Sequence, residues 1–464
     1  MYGVIVLLIY AIAMIGATLM FTKKERTAEG FFVGNRNMGT VSSAMSIAAT
    51  WIWAPALFVS AEKSYINGIP GLFWFLVPNV LCLIIFIPFA KKIRDKMPNG
   101  ITLSGFMGNA YKSSKVKNVY LFQLGSLAVL STAVQLLAGG KILSSITGLP
   151  FEVMAIALSV IAYSYSQFSG IRASIITDMV QMIFILIACV VFVPWALADG
   201  NGINNLINGL SGLTGEYTSL LSNKGIEVFF AFGLPTAIGL ISGPFGDQCF
   251  WQRAFSVSKK KIGKAFSLGA ILFAVVPLSM GILGFIAAGS GFIAQDKGMV
   301  NLELITHLFP SWVALPFLFM LTSGLLSTVD SNLCAVSSLT NDLQITSNLK
   351  NNDKMKLSRL SMILLLIVGN LIANIPGLTV THLFLFYGTF RATTLLPTVM
   401  TLLGKRLSAN GVSAGVITSL VVGLPIFAYG SICGLSIWKT LGSLLAVLLA
   451  GTVAVLVTKM EEHK

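Results

Sequence analysis

From Tyr2 to Phe21 the chain runs twenty residues without one charged side chain, and apolar runs of similar length recur through its 464 residues. About twenty apolar residues in helical form cross the hydrocarbon core of a bilayer. In that solvent backbone groups must be satisfied internally, so only helices and closed barrels span it. Barrel strands read as alternating segments of about ten residues. The runs here do not alternate, so an all-α polytopic membrane protein is expected. Composition agrees: 55% of residues are hydrophobic and 10% charged, against about 25% charged in a soluble domain.

Thirteen candidate spans lie near 2–21, 40–60, 70–90, 119–147, 151–168, 173–198, 226–254, 265–289, 311–341, 358–377, 381–404, 412–432 and 436–457. A basic n-region and a cleavage site would mark the first run as a signal peptide. No basic residue precedes it and Lys23, Lys24 and Arg26 follow it, so it reads as a retained span. With the loops numbered alternately, one set holds 25 of the 31 basic residues. The other set holds Lys63, Lys141, Lys224, Lys297 and Lys439, and Arg391 falls inside a span. Basic loops face the cytoplasm, which puts the N-terminus outside and the C-terminus in the cytoplasm of a plasma (inner) membrane protein. The net charge of +14 is thereby explained without nucleic acid. The chain reads as one membrane domain, 1–464. Cys82, Cys189, Cys249, Cys334 and Cys433 are scattered, with neither metal spacing nor an even count for a disulfide framework.

Three spans carry polar punctuation. The second contains Ser46-Ile47-Ala48-Ala49-Thr50-Trp51-Ile52-Trp53-Ala54-Pro55. Pro55 removes a backbone donor and clashes one turn back, so the carbonyls of 49–52 are candidates for release; a packed proline kink fits the same residues. The seventh contains Gly239 to Arg253, with Gly243-Pro244 and Gly246 at its middle. Broken helices five spans apart are the pattern of an inverted repeat with its site at the breaks. The ninth contains Leu321 to Asn332, where Gly324, Ser327, Thr328 and Asp330 cluster within two turns. Hydroxyl and carbonyl oxygens suit a hard cation such as Na⁺, although Ser and Thr also glue membrane helices together. A carboxylate within a span is costly and usually functional, which singles out Asp330. Asp178, early in the sixth span, reads either as functional or as an ordinary helix-start acid paired with Arg172. Arg391 reads as a structural partner for a carboxylate or carbonyl.

In order along the chain, Phe31-Phe32-Val33-Gly34-Asn35-Arg36-Asn37-Met38-Gly39, then Ser169-Gly170-Ile171-Arg172-Ala173 with Thr177, Asp178 and Gln181, then Gly324-Leu325-Leu326-Ser327-Thr328 resemble the signatures of the sodium:solute symporter family. That family includes sodium–glucose, proline, pantothenate and urea cotransporters. The resemblance covers about 31–420. It implies the LeuT-like fold: a peripheral helix at 2–21, a 5+5 inverted repeat at 40–198 and 226–404, and two peripheral helices at 412–457. It implies a main Na⁺ site formed by the carbonyls of Ala49, Ile52 and Gly324 and the hydroxyls of Ser327 and Thr328. Asp178, with Ser327, Asp330 and Ser331, matches a second sodium site of some members; Asp330 is acidic where those members have Ser and can instead couple a proton. Ala49-Thr50-Trp51-Ile52-Trp53-Ala54 and Asp247-Gln248-Cys249-Phe250-Trp251-Gln252 resemble the urea-transporter branch most, which makes Trp51, Trp53, Gln248 and Trp251 candidates for a small polar pocket. Trp and Gln near a helix end also serve as interface anchors.

The expectation is therefore a sodium-coupled secondary symporter that imports a small polar organic solute by alternating access, with urea as the first solute to try. Na⁺ is the coupling ion and no cofactor is expected. A proton-coupled symporter of the same fold and a transporter-fold sensor are the alternatives, the sensor normally needing an appended cytoplasmic domain. The three histidines, His307, His382 and His463, have no plausible catalytic partners nearby, so an enzyme is not expected. Nor does a Gly-rich nucleotide-binding Lys motif occur. Broken helices around hydroxyls fit a closed site better than a continuous channel. A monomer is expected, as is usual in the family.

Overall fold

The computed structural model describes residues 2–22, 25 and 27–463. Lys23, Lys24, Arg26 and Lys464, counted above among the cytoplasmic charges, lie outside the described residues. Among those residues the fold is all-helical, with a single isolated bridge between Met38 and Val257.

Among the described residues, ten helices are individually long and apolar enough to cross a bilayer. Three more crossings complete the thirteen: the opening helix Tyr2–Phe21, and two spans made of short pieces. One is the second span, Thr40–Trp51 followed by Ala54–Leu57. The other is the eleventh, Val380–Ala392 followed by Leu395–Leu402. The sequence expected a loop between the second and third spans. Instead helix Val59–Lys96 runs through that loop and the third span, turning at Gly68, where φ is 56°. A Cβ there would lie 2.4 Å from the Leu210 carbonyl oxygen, so glycine is required sterically as well as conformationally. The seventh span is also discontinuous. Helix Leu234–Ile241 gives way to Gly243–Gly246, extends at Asp247, and resumes as Gln248–Ser256.

The burial pattern is that of a bundle in lipid. The tenth span, Asn351–Ala373, turns Ile363, Leu364, Ile367, Val368 and Leu371 outward. The ninth, Ala314–Leu339, is buried on all sides from Met320 to Ala335 despite its hydroxyls and its carboxylate. A helix that is polar yet wholly enclosed must satisfy those groups against its neighbours. Gly170 explains part of one signature: its φ is 56°, and a Cβ would meet the Phe31 carbonyl oxygen at 2.2 Å. The start of the sixth span thus lies directly against the Phe31–Gly39 motif.

The seventh and eleventh spans cross at bare backbone. A Cβ on Gly239 would sit 2.7 Å from the Gly388 Cα. Small residues at such crossings let membrane helices approach closely. Gly239→Val is expected to cost about 1–3 kcal/mol through overpacking. Melting of the detergent-solubilised protein should fall by several degrees; unchanged melting would contradict the crossing.

Candidate functional site

The second span leaves helical geometry at Ile52 (φ −82°, ψ 74°) and Trp53 (φ −97°, ψ 177°). A break in a buried bundle exposes backbone groups that cannot reach bulk water. Here the fourth span (Ser114–Thr147) supplies one partner: the Gln135 side-chain oxygen accepts from Ala54 N at 2.7 Å. The ninth span supplies others. Ser327 Oγ donates to the carbonyls of Ala49 and Gly324, both at 2.9 Å. Thr328 Oγ1 donates to Thr50 O at 3.2 Å and to Gly324 O at 3.4 Å. The Ile52 carbonyl oxygen is 3.4 Å from where a Gly324 Cβ would stand. All five residues predicted for the main ion site are brought together, and all are buried. The donor set is two hydroxyls and three carbonyls, all hard oxygens, which suits an alkali cation and not a transition metal.

A second buried network adjoins it. Arg253, at the end of the seventh span, is fully buried and pairs with Asp178 at 2.9 Å. The charge bias counts Arg253, at the very end of the seventh candidate span, with the 25 basic loop residues, and the sequence offers Arg172 as the partner of Asp178; the buried Arg253–Asp178 pair corrects both. Arg172 is drawn to Glu25 at 3.4 Å instead. Arg253 also donates to Ser331 Oγ at 2.7 Å and to Ser46 Oγ at 3.0 Å. Asp330 accepts from Ser174 at 2.9 Å and Thr177 at 3.1 Å. It has no basic group within ion-pair distance among the described residues. Thr50 Oγ1 and Ser331 Oγ share a hydrogen bond at 2.9 Å, which joins this network to the Ala49–Thr328 cluster.

A third group lies on the other side of the break. Arg391 of the eleventh span pairs with Asp247 at 2.9 Å. Asp247 also caps the helix after the seventh-span break through Cys249 N, 2.9 Å, and accepts from the Tyr387 hydroxyl, 2.8 Å. The Arg391 guanidinium carbon stands 3.8 Å from the Tyr387 ring centre, 5.0 Å from Trp51 and 5.1 Å from Trp53. Trp51 and Trp53 therefore pack around one guanidinium. The structure does not bring Gln248 and Trp251 to it: Gln248 clasps Leu103 N, Ile101 O and Ser338 Oγ, and Trp251 packs on Phe86 and donates to Phe245 O at 2.8 Å. Arg253, Asp247, Tyr387 and Gln135 were not assigned to a site from sequence. The sequence points to this group through the Trp51 and Trp53 pair and through the in-span charge of Arg391, which reads there as a structural partner for a carboxylate.

A cavity of about 640 Å³ opens on one face of the bundle. Phe58 and Leu385 are among its lining, as are Lys63, Lys141, Lys297 and Lys439. Those are four of the five lysines that the charge bias assigns to the outer loops.

The sequence model of the sodium:solute symporter family matches residues 31–419. The chain is 24% identical over 346 residues to a probable urea active transporter of Schizosaccharomyces pombe, covering 69% of this chain and 51% of that protein. It is 22% identical to a urea-proton symporter of Oryza sativa subsp. japonica, covering 93% of this chain and 66% of the relative. To a sodium/pantothenate symporter of Escherichia coli it is 24% identical, covering 91% and 89%. The chain thus spans about half to two thirds of the length of those urea transporters. Among solved structures, a Na⁺-coupled sialic acid symporter superposes with a TM-score of 0.78 at 16% identity over 98% of both chains. The nucleobase-cation symporter Mhp1 follows at 0.59 and 14% identity, over 93% of this chain and 95% of the other. These two likenesses concern the fold.

Removing one partner of a buried pair strands the other charge, at a cost of about 3–5 kcal/mol. Arg253→Gln is expected to destabilise by that amount, and Asp178→Asn added to it should recover part of the loss. Thermal melting of the purified single and double variants measures both. A double variant no more stable than the single one would mean that the two residues act apart.

Proposed function

The chain belongs to the sodium:solute symporter family, and on that premise we propose that it uses an inward Na⁺ gradient to import a small polar organic solute. The observation that carries the proposal is the oxygen cluster of Ala49, Ile52, Gly324, Ser327 and Thr328 at the break. Bound Na⁺ would draw the carbonyls of the second span and the hydroxyls of the ninth onto itself. Ala49 and Ile52 belong to the same five-residue stretch as Trp51 and Trp53. Tightening the ion side of that stretch therefore sets the position of the indoles on the solute side. Such linkage makes ion and solute bind with mutual gain and lets one gradient drive the other.

The remaining parts of the reading are consistent with this cycle. The repeats are taken as 40–198 and 226–404, rocking about the two breaks, with 2–21 and 412–457 peripheral. The lysine-lined cavity is then the outer vestibule of a plasma-membrane protein with its N-terminus outside, acting as a monomer. Urea is the first solute proposed, supported by the urea transporters among the relatives. Proton coupling is the second reading. Asp330 favours it: the carboxylate is fully buried, held by the hydroxyls of Ser174, Thr177 and Ser331, and paired with no cation among the described residues.

Ser327→Ala with Thr328→Ala should raise the Na⁺ concentration for half-maximal uptake by about tenfold or more, the scale of one or two lost ligand contacts. Solute uptake into proteoliposomes at varied Na⁺ measures it, and an unchanged Na⁺ dependence in the folded double variant would sink the assignment. For the second reading, Asp330→Asn should abolish uptake driven by a pH gradient; pH-driven uptake that survives the change excludes Asp330 as the proton carrier.

A further inference from the structure

A second cavity, also of about 640 Å³, lies at the far end of helix Val59–Lys96. The first turns of that helix, with Glu62 and Lys63, line the lysine-rich cavity described above; its last residue, Lys96, lines this one. Two more segments finish here. The short helix Leu103–Ala110 brings Asn109 and Tyr111, and the eleventh span, ending in Leu395–Leu402, is followed by Lys405 and Arg406. Gly404 turns the chain at φ 82°, with its N–H on Thr401 O at 3.1 Å and Lys405 N on Met400 O at 3.0 Å. That pair of bonds is a Schellman stop, and it fixes where Lys405 and Arg406 emerge. The walls are tied together at Thr401: Lys96 Nζ donates to its carbonyl at 3.0 Å, and the Tyr111 hydroxyl bonds its Oγ1 at 2.7 Å.

Charge narrows the ligand. Lys96, Lys405 and Arg406 bring three cations to one space, and no residue lining it is acidic. None of the three has an ion-pair partner among the described residues. Asp95, next to Lys96, is taken by Lys259. Glu461 and Glu462 line a separate cleft of about 220 Å³ that Arg406 also borders. A cleft walled by one sign of charge concentrates the opposite sign, and a guanidinium fork beside two ammonium groups suits the oxygens of a phosphate. The surroundings narrow it further. Met97, Phe106 and Leu407 give the cavity an apolar side, and Leu403, next to Gly404, is 52% exposed. A free phosphate would use the cations alone. A phospholipid uses both parts, its phosphate on the cations and its glycerol and upper acyl chains along the apolar side.

We propose that this cavity holds the phosphate of an anionic phospholipid, bound by Lys96, Lys405 and Arg406 between the ends of the third and eleventh spans. The inner leaflet carries the anionic lipids, and basic pockets between spans on that side take their headgroups. The placement therefore rests on the orientation proposed above, in which the basic loops face the cytoplasm. Lys405 and Arg406 would satisfy that orientation from anywhere in their loop; their convergence with Lys96, from a different span, is what makes a site. The bound lipid ties the two spans together at their inner ends.

Thermal shift and amide hydrogen exchange on the purified, delipidated full-length chain test it. Dioctanoyl-phosphatidylglycerol should raise melting saturably and protect the backbone amides of 403–407. Dioctanoyl-phosphatidylcholine, of equal chain length and no net charge, and inorganic phosphate should do neither at the same concentrations. Lys405→Gln with Arg406→Gln should weaken the phosphatidylglycerol response by about thirtyfold, the scale of two cationic contacts to an anionic lipid. Lys260→Gln with Lys261→Gln removes the same charge from exposed positions on another basic loop and should leave the response unchanged. An equal response to phosphatidylcholine, inorganic phosphate acting as well as the lipid, no protection at 403–407, or equal weakening by the two double variants overturns the proposal. Exchange on the unmodified protein decides the matter even if the variants fail to fold. Failure of the orientation alone looks different: the lipid binds as described, but an impermeant thiol reagent labels Lys405→Cys, in a Cys433→Ser background, from outside intact cells.

Discussion

A helix that breaks in the middle of a membrane bundle must find partners for backbone groups where no bulk water reaches, and the rest of this structure is arranged around that requirement. At Ile52 and Trp53 the second span leaves helical geometry, with Ile52 N making the last helical bonds, to Ala48 O and Ala49 O. Gln135 takes the Ala54 N–H, while Ser327 and Thr328 take the carbonyls of Ala49 and Thr50. The partners come from the fourth and ninth spans, so three segments distant in sequence are tied at one point. Hydroxyls suit this task because each can donate to a carbonyl and then turn a lone pair toward a cation. The same groups that make the break tolerable in lipid are those that an alkali ion would use.

Two arginines extend the principle to charge. Arg253 and Arg391 are both buried and each is held by one carboxylate, Asp178 and Asp247 respectively. A buried charge is tolerated when it is paired and its remaining donors are bonded. Arg253 meets that standard through Ser46, Ser331 and the Cys249 carbonyl. Arg391 does not, since two of its nitrogens face no acceptor among the described residues. The contrast separates a fully bonded latch between helices from a guanidinium held by one carboxylate and by aromatic faces. The hydrogen bond between Thr50 and Ser331 connects the latch to the ion cluster, so a shift at either is felt at the other.

Most of the fold was legible in the sequence because a bilayer leaves few options: twenty-residue apolar runs, Gly-Pro interruptions and basic loops are read one segment at a time. The oxygen cluster was legible for a related reason, since the ninth span carries Gly324, Ser327 and Thr328 within a helical turn and the motif resembles a family signature. Pairing between distant spans was not. Arg253 sits at the end of a predicted span and looks like a loop charge until the sixth span brings Asp178 beside it. Gln248 and Trp251 stand next to the helix break in sequence, yet the turn at Asp247 sends them to the 101–103 loop and to Phe86. A chain position shows which chemistry is available; the crossing of the seventh and eleventh spans decides which side chains meet.

The central claim is that ion and solute share the Ala49–Trp53 stretch and so bind with mutual gain. It is tested most directly by titrating Na⁺ into the purified protein with and without saturating urea, following tryptophan fluorescence, and then titrating urea with and without saturating Na⁺. Linkage requires the two affinity ratios to be equal, and the account predicts that both exceed one by several-fold. Saturable binding of both ligands with neither affinity altered by the other would contradict it.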